Sequence, residues 1–137
     1  MLTLNAVYAR MKRNKIEDKA GSNFLHRDEI VQRIPLLKAY KDEQFLFGII
    51  ESKTKWTALS VNFLFAAYGD KRAILRLDAE SNNIFHFLSD KEDNTFSSDI
   101  WLSDGTRIWM KSPELCSLIL NVVLMLEKVP CGVRLAD

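Results

Sequence analysis

A chain of 137 residues, 47% hydrophobic and 27% charged, holds one domain and enough apolar side chains to bury a core without a metal or a disulfide. Its 19 Lys and Arg nearly cancel its 18 Asp and Glu, and a formal charge of +1 argues against a dedicated nucleic-acid binder, which carries a basic excess. Two cysteines, Cys116 and Cys131, make neither a disulfide framework nor a metal-ligand spacing, so a reducing compartment is expected.

Met1 to Ala9 is mildly apolar, but its positive charges follow the apolar stretch and no continuous apolar core appears, so it does not read as a signal peptide. Leu115 to Val129 is the longest apolar stretch; it carries Ser117, Asn121, Glu127 and Lys128 and is too short to span a bilayer. A soluble, cytoplasmic protein is the expectation. Charge is nevertheless uneven along the chain. Residues 1–27 carry Arg10, Lys12, Arg13, Lys15, Lys19 and Arg27 against Glu17 and Asp18. Residues 78–104 carry Asp78, Glu80, Asp90, Glu92, Asp93, Asp99 and Asp104 against Lys91. A solvated surface is the plain account of both, and an acidic contact surface for a basic partner is the functional one.

Residues 2–16 read as a short amphipathic helix, with Leu4, Val7, Tyr8, Met11 and Ile16 near one side. Lys19 to Asn23 reads as a break. A second helical piece over 27–40 carries the stripe Ile30, Val31, Ile34, Leu37 and Tyr40, with Pro35 set to kink or split it.

The pattern changes at Asp42. Apolar runs of strand length follow at Gln44 to Ser52, Trp56 to Ser60 and Asn62 to Tyr68. After the turn signal Gly69-Asp70, alternation marks Arg72 to Leu77 and Asn82 to Ser89. Beyond a polar loop at 90–95 come Phe96 to Ser103 and Thr106 to Lys111, parted by Asp104-Gly105, a two-residue hairpin signal. Counting outward from that turn pairs Ser103 with Thr106, Leu102 with Arg107 and Trp101 with Ile108.

The last element is the clearest. Ser112 suits an N-cap, Pro113 the first helical position and Glu114 the positive end of the dipole. Leu115, Leu118, Ile119, Val122, Val123 and Leu126 then make one apolar face, and Pro130 with Gly132 ends the helix. That face is expected to dock on the sheet.

Seven short strands followed by one amphipathic helix resemble the pleckstrin-homology-like (PH-like) fold, a strongly bent antiparallel sheet plugged by a C-terminal helix. Asp42 to Ile49 is similar to the entry strand of the bacterial members of that group. Lys55 to Ser60 with Phe63-Leu64-Phe65 is similar to the strand pair that follows, and Ile74 to Leu77 to the fourth strand. Leu102 to Ile108 is similar to their last hairpin. The resemblance implies an α+β fold whose PH-like part spans 42–130, after a helical extension at 1–41 that contributes one or two helices and before a tail at 131–137. It implies a binding scaffold and no reaction. Members that bind phosphoinositides crowd Lys and Arg around the first hairpin loop, whereas this chain has only Lys53 and Lys55 there.

No catalytic constellation is legible. His26 and His86 are far apart in sequence; His86 shares its strand face with Ile84 and Leu88 and reads as a partly buried, satisfied side chain. The five glycines are isolated, so no phosphate-cradling loop is expected, and no metal or cofactor either. Trp101 and Trp109 flank the last turn, and at least one is expected on the face away from the helix, as a shield for the sheet or as an anchor. The residues favour a non-catalytic protein-binding module. Its antidote (immunity) form would block a basic partner through Asp78, Glu80, Asp90, Glu92, Asp93 and Asp99, with Trp101 and Trp109 as anchors. The alternative is a membrane- or lipid-directed adaptor whose basic helix lays Arg10, Lys12, Arg13 and Lys15 on anionic headgroups. A catalytic role for His86 ranks last.

Overall fold

The apolar runs between residues 45 and 76 pair in sequence order. The computed structural model describes residues 2–77, 99–102, 105–130 and 132–137. In it β2 (Phe45–Ser52), β3 (Lys55–Ser60), β4 (Phe63–Tyr68) and β5 (Lys71–Arg76) form successive antiparallel hairpins. Gly69 takes φ +68° in the two-residue turn between Tyr68 and Lys71, a conformation that glycine adopts without steric cost. A three-residue strand, β1 (Phe24–His26), adds to the free edge of β2, giving a five-stranded sheet in the order β1-β2-β3-β4-β5. Gly48 lets these strands close up: a Cβ there would meet the Thr57 carbonyl oxygen at 3.0 Å and Leu25 Cδ2 at 3.5 Å.

Both faces of this sheet are apolar, and each is covered. On one, Phe47, Ile49, Leu59, Leu64, Ala66 and Leu75 pack into a core with Val7 of α1 (Leu4–Arg13), Ile16 of α2 (Ile16–Ala20) and the apolar side of α4 (Pro113–Leu126). On the other, Phe45, Trp56, Ala58, Phe65 and Ala67 pack under Ile30, Ile34 and Leu37. The second cover comes from the 27–40 segment. It is a 3-10 turn (Arg27–Glu29), the single turn α3 (Ile30–Arg33) and a second 3-10 piece (Pro35–Tyr40), instead of one kinked helix. Pro35 forces the division, because Ile34 before it is held at φ −124° and ψ 82°, outside the helical region. Tyr40 closes this layer edge-on to Phe65, with ring centroids 4.9 Å apart. The far face of the sheet is therefore not an open contact surface over β2–β4. On β5 it stays open: Ile74, opposite Phe65, is 51% exposed.

α4 begins as its residues dictate. Ser112 Oγ accepts from the Leu115 N–H at 3.1 Å, Pro113 opens the helix, and Leu115, Ile119, Val122, Val123 and Leu126 are buried. The N-terminal helix breaks earlier than its pattern predicts, at Lys15 (φ 55°), and resumes as α2, which ends at Ala20. Within the stretch expected as a break, Gly21 (φ 60°) opens a 3-10 turn over Gly21–Asn23. Two further short strands, β6 (Ile100–Trp101) and β7 (Arg107–Ile108), form a separate two-stranded sheet. Its register is one residue away from the expected one: Ile100 lies opposite Ile108 and Trp101 opposite Arg107. Leu102 N–H donates to Thr106 O at 2.8 Å, so the loop holds three residues and Gly105, at φ +88°, closes it. The chain is thus α+β, with five- and two-stranded antiparallel sheets and a C-terminal helix among its described residues. The strand expected over 82–89 and the polar loop at 90–95 lie outside the described residues.

The second layer can be tested by paired truncations in one 3-10 piece. Leu37→Ala, at 1% exposure, should cost about 2–5 kcal/mol in urea denaturation, whereas its neighbour Leu36→Ala, at 53% exposure, should stay within about 0.5 kcal/mol. Equal effects would mean that this segment does not cover the sheet in solution.

Candidate functional site

Antiparallel pairing puts Lys55 of β3 opposite Tyr68 of β4, and the short β6–β7 pair puts Trp101 opposite Arg107. The two pairs meet. Arg107 Cζ stands 4.6 Å from the Tyr68 ring centroid and 4.9 Å from that of Trp101, while Lys55 Nζ stands 5.2 Å from Tyr68 and 5.5 Å from Trp109. The result is a ladder in which cations and aromatic faces alternate, each contact within cation–π range. Lys55, Tyr68, Trp101 and Arg107 are half-buried and Trp109 is buried.

Asp99 holds the ladder to the core. Its side chain is only 2% exposed; Oδ2 accepts from Arg107 Nε at 2.6 Å and Oδ1 from the Met110 N–H at 2.8 Å. One carboxylate oxygen thus serves the backbone and the other fixes the guanidinium plane between two rings. At the outer end Lys55 pairs with Glu51 at 2.9 Å. That hydrogen bond, opposed by partial burial, raises the Lys55 ammonium above its ordinary 10.5. Behind the ladder Thr57 Oγ1 donates to the Trp109 carbonyl, tying β3 to the segment that leads into α4.

Of the acidic residues read as a contact surface, Asp78, Glu80, Asp90, Glu92 and Asp93 lie outside the described residues, as does His86. Asp99 lies among the described residues, and it is a buried structural partner of Arg107 instead of a contact residue. Trp101 is on the ladder and half-buried; Trp109 lines the core side of it at 6% exposure. Arg10, Lys12, Arg13 and Lys15 sit on α1 and the turn after it, with Arg10 Nη1 donating to Asn121 Oδ1 of α4 at 2.8 Å. The apolar side of α1 is not available to a bilayer, because Leu4 and Val7 belong to the protein's own core. Tyr68 was not singled out by the sequence. The signal was there: counting outward from the Val61-Asn62 turn pairs Lys55 with Tyr68.

Among the described residues no group of three His, Cys, Asp or Glu side chains is placed to hold a metal, and no helix is long and apolar enough to cross a membrane. His26 is half-exposed, and its Nδ1 accepts from the Asp28 N–H at 3.3 Å. No family model, curated protein or solved structure matches the chain.

Two consequences can be measured. Arg107→Leu leaves a buried carboxylate without its cation and should lower stability by about 1–3 kcal/mol in denaturant titrations, more than the same change at exposed Arg72. Cys116 has its thiol pushed up from 9.0 to about 11, first by burial and then by the charge of Asp99. Below pH 9 the thiol is protonated in both folded and unfolded chains. Between pH 9 and about 11 the unfolded chain ionises first, so stability should fall with rising pH. That part of the slope should vanish in Cys116→Ala, as a series of urea midpoints would reveal.

Proposed function

We propose that this protein is a non-catalytic protein-binding module of the antidote (immunity) type, acting in the cytoplasm and blocking a basic partner protein. The observation that carries the reading is the ladder of Lys55, Tyr68, Arg107 and Trp101, anchored at Asp99. Trp, Tyr and Arg dominate the energetics of protein interfaces, and rigid side chains lose little freedom on binding. The acidic residues Asp78, Glu80, Asp90, Glu92 and Asp93 then speed encounter with a basic partner, while the ladder supplies contact area. Asp99 has no part in that field, since its charge is committed to Arg107.

The fold belongs to the same proposal. In a PH-like sheet β2–β5 would be the first four strands, β6 and β7 the last two, and α4 the plug, with residues 82–89 supplying the strand between. β1 and the 27–40 layer would be additions to that plan. A membrane-directed adaptor is the weaker reading, because α1 uses its apolar side internally and would meet lipid through charge alone.

Capture of the tagged chain from its native cells tests this. The wild type should retain a basic protein at low salt and release it as salt is raised. Asp90→Lys/Glu92→Lys/Asp93→Lys should slow association about tenfold or more, and Trp101→Ala should weaken binding by about 2 kcal/mol. Retention of the same partner by both variants with unchanged salt dependence would sink the reading, and co-flotation with anionic vesicles would favour the adaptor.

A further inference from the structure

A cleft of about 630 Å³ lies where both ends of the chain meet the end of α4. Leu2, Met125 and Val133 contribute apolar wall, and Arg10, Lys128 and Arg134 contribute three cations. Its volume falls within the range of small-molecule sites, which are mostly apolar with a few placed polar groups. The walls are tied down. Gln44 bonds the Leu135 backbone twice, donating to its carbonyl at 3.0 Å and accepting from its N–H at 2.7 Å. Leu4 N–H donates to Ala136 O at 2.8 Å, and Arg134 Nη1 donates to Asp42 O at 3.0 Å. A cleft so braced costs a ligand little ordering.

Charge decides what it takes. Among the described residues no carboxylate lines the cleft; Glu127 and Asp137, close by in sequence, are not among its lining residues, and Glu127 is buried. Among the described residues Arg10, Lys128 and Arg134 pair with no carboxylate, and the hydrogen-bond acceptors of the two arginines are neutral: the Asn121 side chain and the Asp42 carbonyl. Each guanidinium has five donors, so most remain for an anion. A second cleft of about 450 Å³, by α1 and α2, differs on this point: its Lys12, Lys15 and Arg27 share the lining with Glu17 and Asp18. Lys128 lies just past the end of α4 and offers a single ammonium, whereas the planar forks of Arg10 and Arg134 suit a carboxylate and make these two the head-group ligands.

We propose that this cleft binds a free single-chain amphiphile with an anionic head, a medium-chain carboxylate in the first instance. The hydrocarbon chain lies along Leu2, Met125 and Val133, and the head accepts from Arg10 and Arg134, whose planar forks match a carboxylate. The site is independent of the protein-binding surface around Arg107.

Fluorescence titration of the intact protein with dansyl-undecanoate tests the proposal. Saturable binding is expected, with the methyl ester of the probe at least about tenfold weaker because it lacks the charge that the arginines recognise. Arg10→Gln/Arg134→Gln should weaken the acid by about tenfold or more and leave the ester unchanged. Val133→Asp, at a position 40% exposed and so tolerant of the change, places a carboxylate in the wall and should weaken the acid similarly with an unchanged urea midpoint. Lys12→Gln/Lys15→Gln, in the other cleft, should have no effect. Acid and ester binding equally, loss of binding only in the Lys12/Lys15 variant, or association with anionic vesicles but not with the free probe would each overturn the proposal.

Discussion

A sheet that is apolar on both faces cannot leave either one in water, and the rest of this molecule follows from that constraint. Along β3 and β4 the alternation sends Leu59, Leu64 and Ala66 to one side and Trp56, Ala58, Phe65 and Ala67 to the other. Neither set is polar enough to be solvated, and each large side chain contributes on the order of 1.5–3 kcal/mol when buried. One helix can cover only one face. α4 does so with help from α1 and α2, and the second cover has to come from elsewhere in the chain. The segment from Arg27 to Tyr40 provides it, and β1 immediately before it pairs with β2 and sets its starting point. The N-terminal forty residues are in this sense half of the packing.

That division explains which parts of the fold could be read from the residues. α4 was legible because its cap, first-turn proline and apolar face agree with one another. β2 to β4 were legible as apolar runs of strand length rich in branched and aromatic residues, and β5 by its alternation after the Gly69-Asp70 turn. β1 was not: three residues carry no measurable periodicity, and Phe24-Leu25-His26 becomes a strand only because the edge of β2 offers it backbone partners. The 27–40 layer was legible as an apolar stripe but not as 3-10 turns, since a spacing of three suits that tighter helix as well as the α-helix.

The register of β6 and β7 shows a subtler limit. Asp104-Gly105 suits a two-residue loop, and equally a three-residue loop closed by a glycine with positive φ. Packing chooses between them. The observed pairing puts Ile100 opposite Ile108, both buried, whereas the two-residue loop would set Trp101 against Ile108. The same choice places Trp101 across from Arg107 and so assembles the cation–aromatic ladder. A count of charges likewise cannot tell that Asp99 turns inward. What distinguishes it is a backbone N–H eleven residues away, at Met110.

Asp99 is therefore the point where surface and core are mechanically joined. Beyond Met110 the chain passes through Lys111, a non-glycine residue held at φ 72°, before Ser112 caps α4. A left-handed lysine costs about 1–3 kcal/mol and persists only where its surroundings impose it. Two ties do so: Lys111 Nζ donates to the Ala20 carbonyl at the end of α2, and Met110 is held by Asp99. The strained link thus fastens the start of α4 both to the N-terminal helices and, through Asp99, to Arg107. Arg107 of the ladder is coupled in this way to the entry of the helix that closes the core, so the ladder is fastened to the packed layer and not to two short strands alone.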